Sequence, residues 1–149
     1  MAKPLRVVYK AWNREDLIWA AGFYDGEGSC CIVKTSRTPA RPGFAGRQHL
    51  GLNLQVAQIE PTVLHRFLAA VQVGKVYGPY PSSQKGHQNY WQWQTGTFES
   101  IQYVICQLWP WLSAPKKLQA RTALLAYVAY CAQPRCPMGP RPKGKPGNV

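Results

Sequence analysis

The stretch of this sequence that most constrains its fold is Trp19–Ser29, which begins with apolar and small residues and ends with two acids spaced by glycine. The small residues at Ala20, Ala21 and Gly22 allow a second helix backbone to approach closely. Glycines within residues 25–28 favour the end of a helix at that point. The stretch therefore predicts a helix that offers a contact face to another helix and carries a carboxylate at its C-terminal end.

The chain is strongly basic, with a formal net charge of +12 over 149 residues. This charge favours a polyanionic partner, most often nucleic acid, over a surface kept basic only for solubility. Two of only six acids, Asp25 and Glu27, lie in the same turn. Phosphate repels a bare carboxylate, so acids kept together on a DNA-binding surface indicate a divalent-metal site.

The length predicts one domain over residues 1–133, followed by a basic Pro- and Gly-rich tail over residues 134–149. With no signal peptide and no apolar run long enough to span a membrane, the sequence predicts an intracellular protein of the cytoplasm or of an organelle matrix, chloroplast or mitochondrion. The five cysteines form no paired metal-binding spacing, which predicts reduced thiols. Cys131 and Cys136 could still pair or bind metal with outside ligands.

Hydrophobic periodicity predicts an α+β fold in the order α-β-β-α-β-β-α-α, with four strands in one antiparallel sheet and helices on one face. Asn13 is expected to cap the first helix, which is expected to run to about Tyr24. The expected strands are 29–37, 49–56, 73–80 and 90–94. The remaining helices are expected from Pro61, over 97–109 and from Pro115, the last with four residues inward: Leu118, Leu124, Leu125 and Val128.

The clearest strand, His49–Val56, alternates between an apolar face and an uncharged polar face. Uncharged polar groups can read base edges, whereas Lys, Glu and Thr are more usual on an ordinary solvated sheet face. If Trp91 and Trp93 face the core, Tyr90, Gln92 and Gln94 share the polar face. A register slip of one residue would exchange the two faces.

The segment Ala21–Gly28 resembles the last eight positions of the LAGLIDADG signature of homing endonucleases, with Ala20 where the first leucine would stand. The resemblance extends over roughly residues 13–130. It implies a LAGLIDADG homing endonuclease fold whose saddle-shaped sheet lies along a DNA major groove. Because the motif occurs once, the resemblance also implies a homodimer formed through the motif helix, at Trp19, Ala20, Ala21, Gly22 and Phe23.

The family pattern further implies a set of site residues. Glu27 matches the metal-binding acid, with glutamate in place of the usual aspartate, and Gly26 would offer its carbonyl to the same Mg²⁺. Gln58 matches a glutamine that positions water near the scissile phosphate. Lys116 matches the catalytic lysine, with Lys117 as the alternative. Asp25 matches an earlier, less directly catalytic acid, for which local hydrogen bonding at the helix end is the competing interpretation.

One position departs from the family pattern. Some members carry a basic residue four positions after the glutamine, where this chain has Thr62; Arg66, one turn later, is a candidate substitute. Strand alternation and loop charge predict the DNA-binding residues: Thr35, Arg37, Arg41, Arg47, His49, Asn53, Gln55, Lys75, Tyr77, Lys85, Gln92 and Gln94.

Taken together, the sequence and the resemblance predict a site-specific homing endonuclease. The expected activity is a metal-dependent double-strand break in a long pseudo-palindromic DNA site, made by a homodimer. The resemblance also implies short 3′ overhangs and an intron or intein origin, of which the chain length favours the intron. Two other functions are compatible with the same fold. One is an intron RNA maturase, and the other is a DNA-binding regulator that does not cleave.

Overall fold

The structure, a computed structural model, describes residues 11–36 and 48–133. Its elements follow the predicted α-β-β-α-β-β-α-α order, with one short 3₁₀ turn before the last helix. They are α1 Arg14–Glu27, β1 Gly28–Ser36, β2 Gln48–Gln58, α2 Pro61–Val71, β3 Lys75–Tyr80, β4 Tyr90–Thr95, α3 Phe98–Leu108, the 3₁₀ turn Trp109–Trp111 and α4 Ala114–Ala132.

The four strands form one antiparallel sheet in the order β1-β2-β4-β3. The predicted alternation along β2 is confirmed, because Leu52, Leu54 and Val56 are all buried. On β4, Trp93 is fully buried and its neighbour Gln92 is not. The register therefore has not slipped, and the polar side chains of β2 and β4 share the face opposite the core.

Helices α1, α2 and α3 supply most of the core on the other face of the sheet. Trp93 lies at its centre, 4.8 Å between ring centroids from Phe67 of α2 in an edge-to-face arrangement. The indole Nε1 donates a hydrogen bond of 2.9 Å to the Val73 carbonyl. A buried tryptophan thus keeps both its apolar contacts and its polar partner. This packing holds the sheet against the helices and leaves its other face open.

Helix α1 begins as predicted but ends three residues later than expected. The Asn13 side chain accepts a hydrogen bond of 2.9 Å from the Glu15 amide, which confirms the predicted cap. At the other end the helix runs past Tyr24 to Glu27. The glycine at position 26 is accommodated within the last turn, and the helix ends because Gly28 enters β1 with extended backbone. Glu27 is therefore the last helical residue.

The inward face predicted for α4 is wrong in three of its four residues. Leu118, Leu125 and Val128 are 66%, 57% and 48% exposed. The residues of α4 that are buried are Ala120 and Ala123. Small side chains allow the helix to lie close to β1 and β2, and this turns the bulky residues outward. Within the described ranges, no helix is long and apolar enough to cross a membrane.

Candidate active site at the junction of α1 and β1

The junction between α1 and β1 is closed by a tyrosine packed against a glycine. Tyr24 is fully buried, and the Gly28 amide donates to its backbone carbonyl one turn earlier. A Cβ added at Gly28 would lie 2.7 Å from Cγ of Tyr24 and closer still to Cδ2 and Cε2. Only glycine leaves room for the ring at this position, so the chain can pass directly from the helix into the strand.

Asp25 connects this junction to the start of α4. Its Oδ1 accepts a hydrogen bond of 2.9 Å from the amide of Ser113, which lies 88 residues away in the sequence and is the N-cap residue of α4. This bond, with help from the nearby charge of Lys116, holds the pKa of the Asp25 carboxyl below its usual range. The expected hydrogen bonding of Asp25 is therefore tertiary rather than local to its own helix end.

The two candidate lysines point to different places. The Lys116 ammonium donates a hydrogen bond to the Gly28 carbonyl and lies 5.7 Å from the centre of the Tyr24 ring. The Lys117 ammonium instead lies 5.4 Å from the centre of the Trp109 ring, at the 3₁₀ turn. Of the two, Lys116 is the lysine placed at the end of α1.

Glu27 is exposed at the C-terminal end of α1. The last turn of this helix contains no basic residue, and the carbonyls at a helix C-terminus carry partial negative charge. Nothing lies within 4 Å of the position that a Cβ at residue 26 would occupy, so this side of the turn is open. A carboxylate and backbone carbonyls are the oxygen ligands that Mg²⁺ and Ca²⁺ prefer, and this end of the helix therefore suits a divalent cation.

One chain nevertheless supplies few ligands. Among the described residues, no three His, Cys, Asp or Glu side chains are close enough together to hold a metal ion. Glu27 and the Gly26 carbonyl would be a partial set. A complete site at this position needs ligands from water, from DNA or from a second chain.

Gln58 lies at the same end of the sheet as Glu27. The register pairs Gly28 with Val56, and Gln58 follows two residues further along β2 as its last residue. It is half-buried and shares the strand face of Val56, which is the face covered by the helices. Thus α1, β2 and α4 bring Glu27, Gln58 and Lys116 to one end of the molecule.

The candidate substitute for the missing basic residue is already engaged elsewhere. The Cζ atom of the Arg66 guanidinium, on α2, lies 3.9 Å from the centre of the Trp19 ring of α1. The Thr62 hydroxyl donates a hydrogen bond of 2.6 Å to Glu60, which caps α2. In this arrangement neither residue is directed to Gln58.

The open face of the sheet carries an ordered row of amides. Gln55 Oε1 accepts hydrogen bonds from Asn53, at 2.7 Å, and from Gln92 on the neighbouring strand. Gln94 pairs with Gln55 and Lys75 across the sheet. These contacts hold the amide groups in a fixed arrangement instead of leaving them as independent flexible side chains.

The remaining predicted DNA-binding residues are distributed around this face. Lys75, Tyr77 and Lys85 are exposed. His49 is exposed too, but its Nδ1 lies 3.1 Å from the Tyr130 hydroxyl of α4, so its side chain is directed toward that helix. Thr35 lies on β1, and its side chain is outside the described part, as are Arg37, Arg41, Arg47, the tail 134–149 and Cys136.

The exposed face of α1 is narrower than the predicted contact face. Ala20 and Ala21 are 0% exposed, because they pack into the chain's own core, so they are not part of the exposed surface of the helix. The exposed stripe consists of Ile18, Gly22 and Gly26, with Trp19 and Phe23 half-buried along one edge. Nothing lies within 4 Å of the Cβ positions of the two glycines, so a second backbone can approach there.

Three residues at the junction have roles that the sequence patterns did not reveal. They are Tyr24, which packs under Gly28; Ser113, which receives Asp25; and Gln119, whose Oε1 accepts a 3.1 Å hydrogen bond from the Cys30 amide of β1. Ser113 carried a usable signal, because a serine two residues before a proline that opens a helix is a good N-cap candidate. The other two contacts depend on how distant elements pack.

The Asp25–Ser113 contact predicts a pH-dependent contribution to stability. Asp25→Asn should lower the free energy of unfolding at pH 7 by about 1 kcal/mol, a typical value for a capping group. Because the folded-state pKa of Asp25 is lowered, the wild-type advantage should be full above the unfolded pKa of about 4 and disappear as pH falls through the folded value. Urea unfolding of both proteins between neutral and acidic pH measures this. A difference that does not change with pH would contradict the role of the charge.

No family model matches the chain, and no curated protein matches it. Solved structures do. The homing endonuclease I-CvuI, in complex with the I-CreI target in the presence of 2 mM Mg, superposes with a TM-score of 0.59 at 21% identity, over 76% of this chain and 68% of that one. The group I intron-encoded homing endonuclease I-CeuI, complexed with DNA, gives 0.61 at 16% identity, over 83% and 58%.

A third similar structure is the archaeal intron-encoded homing endonuclease I-Vdi141I complexed with DNA, with a TM-score of 0.55 at 17% identity, over 77% of this chain and 70% of that one. In a complex of I-CvuI with its own target, solved with 2 mM Ca, this chain spans 65% of the I-CvuI chain. The present chain therefore spans about two thirds or less of the length of several of these proteins. The similarity shows that it has the LAGLIDADG homing endonuclease fold.

Proposed function

We propose that this chain, which has the fold of the LAGLIDADG homing endonucleases, is a DNA endonuclease that cuts both strands of a long, pseudo-palindromic site as a homodimer using Mg²⁺. The observation that carries the proposal is the position of Glu27, Gln58 and Lys116 at the same end of a sheet whose other face is open and polar. The DNA complexes of proteins with the same fold support duplex DNA as the partner. Intron homing is the biological role that we infer for this activity.

Phosphodiester hydrolysis requires in-line attack by water and neutralisation of the charge that develops on the phosphate. Glu27 and the Gly26 carbonyl would hold the Mg²⁺, which when bound supplies Lewis-acid stabilisation of that charge. Gln58 would orient the attacking water. Lys116, already held at the Gly28 carbonyl, would bring a positive charge close to the phosphate at no further cost of ordering.

A second copy of the chain would complete the site. The exposed stripe of Ile18, Gly22 and Gly26 leads directly to Glu27, so two α1 helices packed along this stripe would bring two Glu27 carboxylates together. The repulsion between these carboxylates would be relieved by bound cations. Each carboxylate would then serve one DNA strand, and the two-fold symmetry of the dimer would require a nearly palindromic site.

Substitution of Gly22 tests this dimer. Gly22→Leu should fold as well as the wild type, since nothing lies within 4 Å of the added Cβ, but it should weaken self-association by at least about tenfold because the two backbones cannot approach. Sedimentation equilibrium over a concentration series measures the effect. Ala69→Leu, at an exposed site on α2, is the matched control. Equal association of the two variants would contradict the proposed interface.

The amide row of the open sheet face is suited to reading base edges. Asn and Gln side chains can form paired hydrogen bonds with adenine in the major groove. Because Gln55 already fixes Asn53 and Gln92, less side-chain freedom is lost when DNA binds. Lys75 and Lys85 are both exposed; they would contact phosphates and add affinity without sequence preference.

Cleavage selection tests the proposed function. The purified full chain is incubated with a randomised duplex library in Mg²⁺ and, separately, in Ca²⁺. Discrete, nearly palindromic cut sites that appear in Mg²⁺ would support the proposal and reveal the target. Selective retention of duplexes without any cutting would favour a DNA-binding regulator instead.

A specific observation keeps RNA binding as the second candidate function. Tyr80 of β3 pairs with Tyr90 of β4, and their ring centroids are 5.6 Å apart. Tyr77 pairs with Gln92 on the same strands. Tyr77 is 40% exposed. Exposed aromatic rings on a sheet can stack unpaired bases, which an intact duplex does not offer. Preference for structured intron RNA over every duplex in the library would favour the maturase function.

A further inference from the structure

Tyr24 combines two properties that its place in the core does not explain. It is one of the largest fully buried side chains in the described part of the protein, and its hydroxyl makes no hydrogen bond there. Burial raises the pKa of this phenol well above its usual range, so the hydroxyl stays neutral. A buried hydroxyl without a partner is unfavourable, so the hydroxyl does not explain why a tyrosine occupies this position. The ring is the part that makes contacts.

The Tyr24 ring contacts both the backbone of Gly28 and the ammonium group of Lys116. Its atoms fill the space where a Cβ of residue 28 would be. The Lys116 Nζ lies 5.7 Å from the ring centre, within the range of a cation–π interaction. The same Nζ donates to the Gly28 carbonyl. The ring and the carbonyl together therefore define where the ammonium can rest.

We propose that Tyr24 is a positioning residue whose ring face, packed against Gly28, holds the Lys116 ammonium at the Gly28 carbonyl, one residue after Glu27. This inference deepens the proposed endonuclease function and rests on it for its catalytic consequence. A lysine side chain has four rotatable bonds and loses substantial freedom when fixed. The ring restricts the positions that the ammonium group can occupy, so that the positive charge of Lys116 is in place before DNA binds. Lys117, over the Trp109 ring, is held away from this point.

Two substitutions separate the ring from the hydroxyl. Tyr24→Phe keeps the ring and removes the unpartnered hydroxyl. Tyr24→Leu keeps an apolar, buried side chain and removes the ring. Phe67→Leu is the matched control, because Phe67 is also fully buried and the change is again from a ring to leucine, but on α2, where the neighbouring rings are those of Phe23 and Trp93.

NMR of the full chain tests the contact without any need for activity. The Lys116 ε-methylene protons, assigned by their loss in Lys116→Arg, should be shifted upfield by the ring current of Tyr24. The shift should persist in Tyr24→Phe and in Phe67→Leu and disappear in Tyr24→Leu. An unchanged Lys116 signal in folded Tyr24→Leu would overturn the proposal.

Single-turnover cleavage of the selected DNA site tests the consequence. Tyr24→Leu should slow the chemical step about 5- to 30-fold, the factor for losing a partly desolvated cation–π contact, with unchanged affinity for DNA. Tyr24→Phe should restore the rate. Equal slowing by Phe67→Leu would overturn the positioning role. If the wild type cuts no DNA, the endonuclease function fails, while the NMR result still decides whether Tyr24 holds Lys116.

Discussion

Glu27→Gln is expected to abolish cleavage while leaving DNA binding intact. The amide has nearly the same shape as the carboxylate but carries no charge, so the end of α1 would lose its strongest oxygen ligand for Mg²⁺. The loss should be about 100- to 1,000-fold or more in the single-turnover rate, the range for removing one group that stabilises transition-state charge. The measurement is cleavage of the selected site at saturating protein, together with a binding isotherm in Ca²⁺.

Glu99→Gln is the matched control for this experiment. Glu99 is an exposed acid in the first turn of α3, so the same change of charge is made away from the junction. The control should leave the cleavage rate near the wild-type value. A Glu27→Gln protein that cuts at the wild-type rate would remove the metal-binding role from Glu27 and, with it, the proposed mechanism.

Gly28→Ala is expected to be the most destabilising single substitution at the junction. The added Cβ would lie 2.7 Å or less from three atoms of the Tyr24 ring, which is fully buried. Overpacking of this kind costs about 1–3 kcal/mol, and occasionally more. We expect the free energy of unfolding, measured in urea, to fall by about 3 kcal/mol. This is a large fraction of the stability of a domain of this size.

Gly26→Ala is the corresponding control, since it lies two residues earlier in the same turn. Nothing is within 4 Å of its Cβ position, and alanine is favoured over glycine in a helix by about 1 kcal/mol. This variant should be as stable as the wild type or more stable when monomeric. If Gly28→Ala is no less stable than Gly26→Ala, the tight packing of Tyr24 on the junction is contradicted.

Much of the fold followed from local patterns. The alternation along residues 49–56 correctly placed Leu52, Leu54 and Val56 in the core, because a strand has a period of two and only one face of this sheet is covered. Asn13 correctly marked the start of α1. The same reasoning was wrong for α4, where Leu118 and Leu125 are exposed, because helical periodicity shows which residues share a face but not which face is covered.

The candidate site divides in the same way. The sequence by itself placed Glu27 in the turn that follows the motif helix and Lys116 and Lys117 at the start of a late helix. Only the tertiary structure decided that Lys116 meets the Gly28 carbonyl and that Asp25 receives the Ser113 amide across 88 residues. The tertiary structure also decided that Ala20 and Ala21 are buried in the core while Gly22 is exposed. A local pattern fixes the geometry within one helix or strand. These contacts instead depend on how two elements pack against each other, and that packing is set by the shapes and volumes of side chains far apart in the sequence.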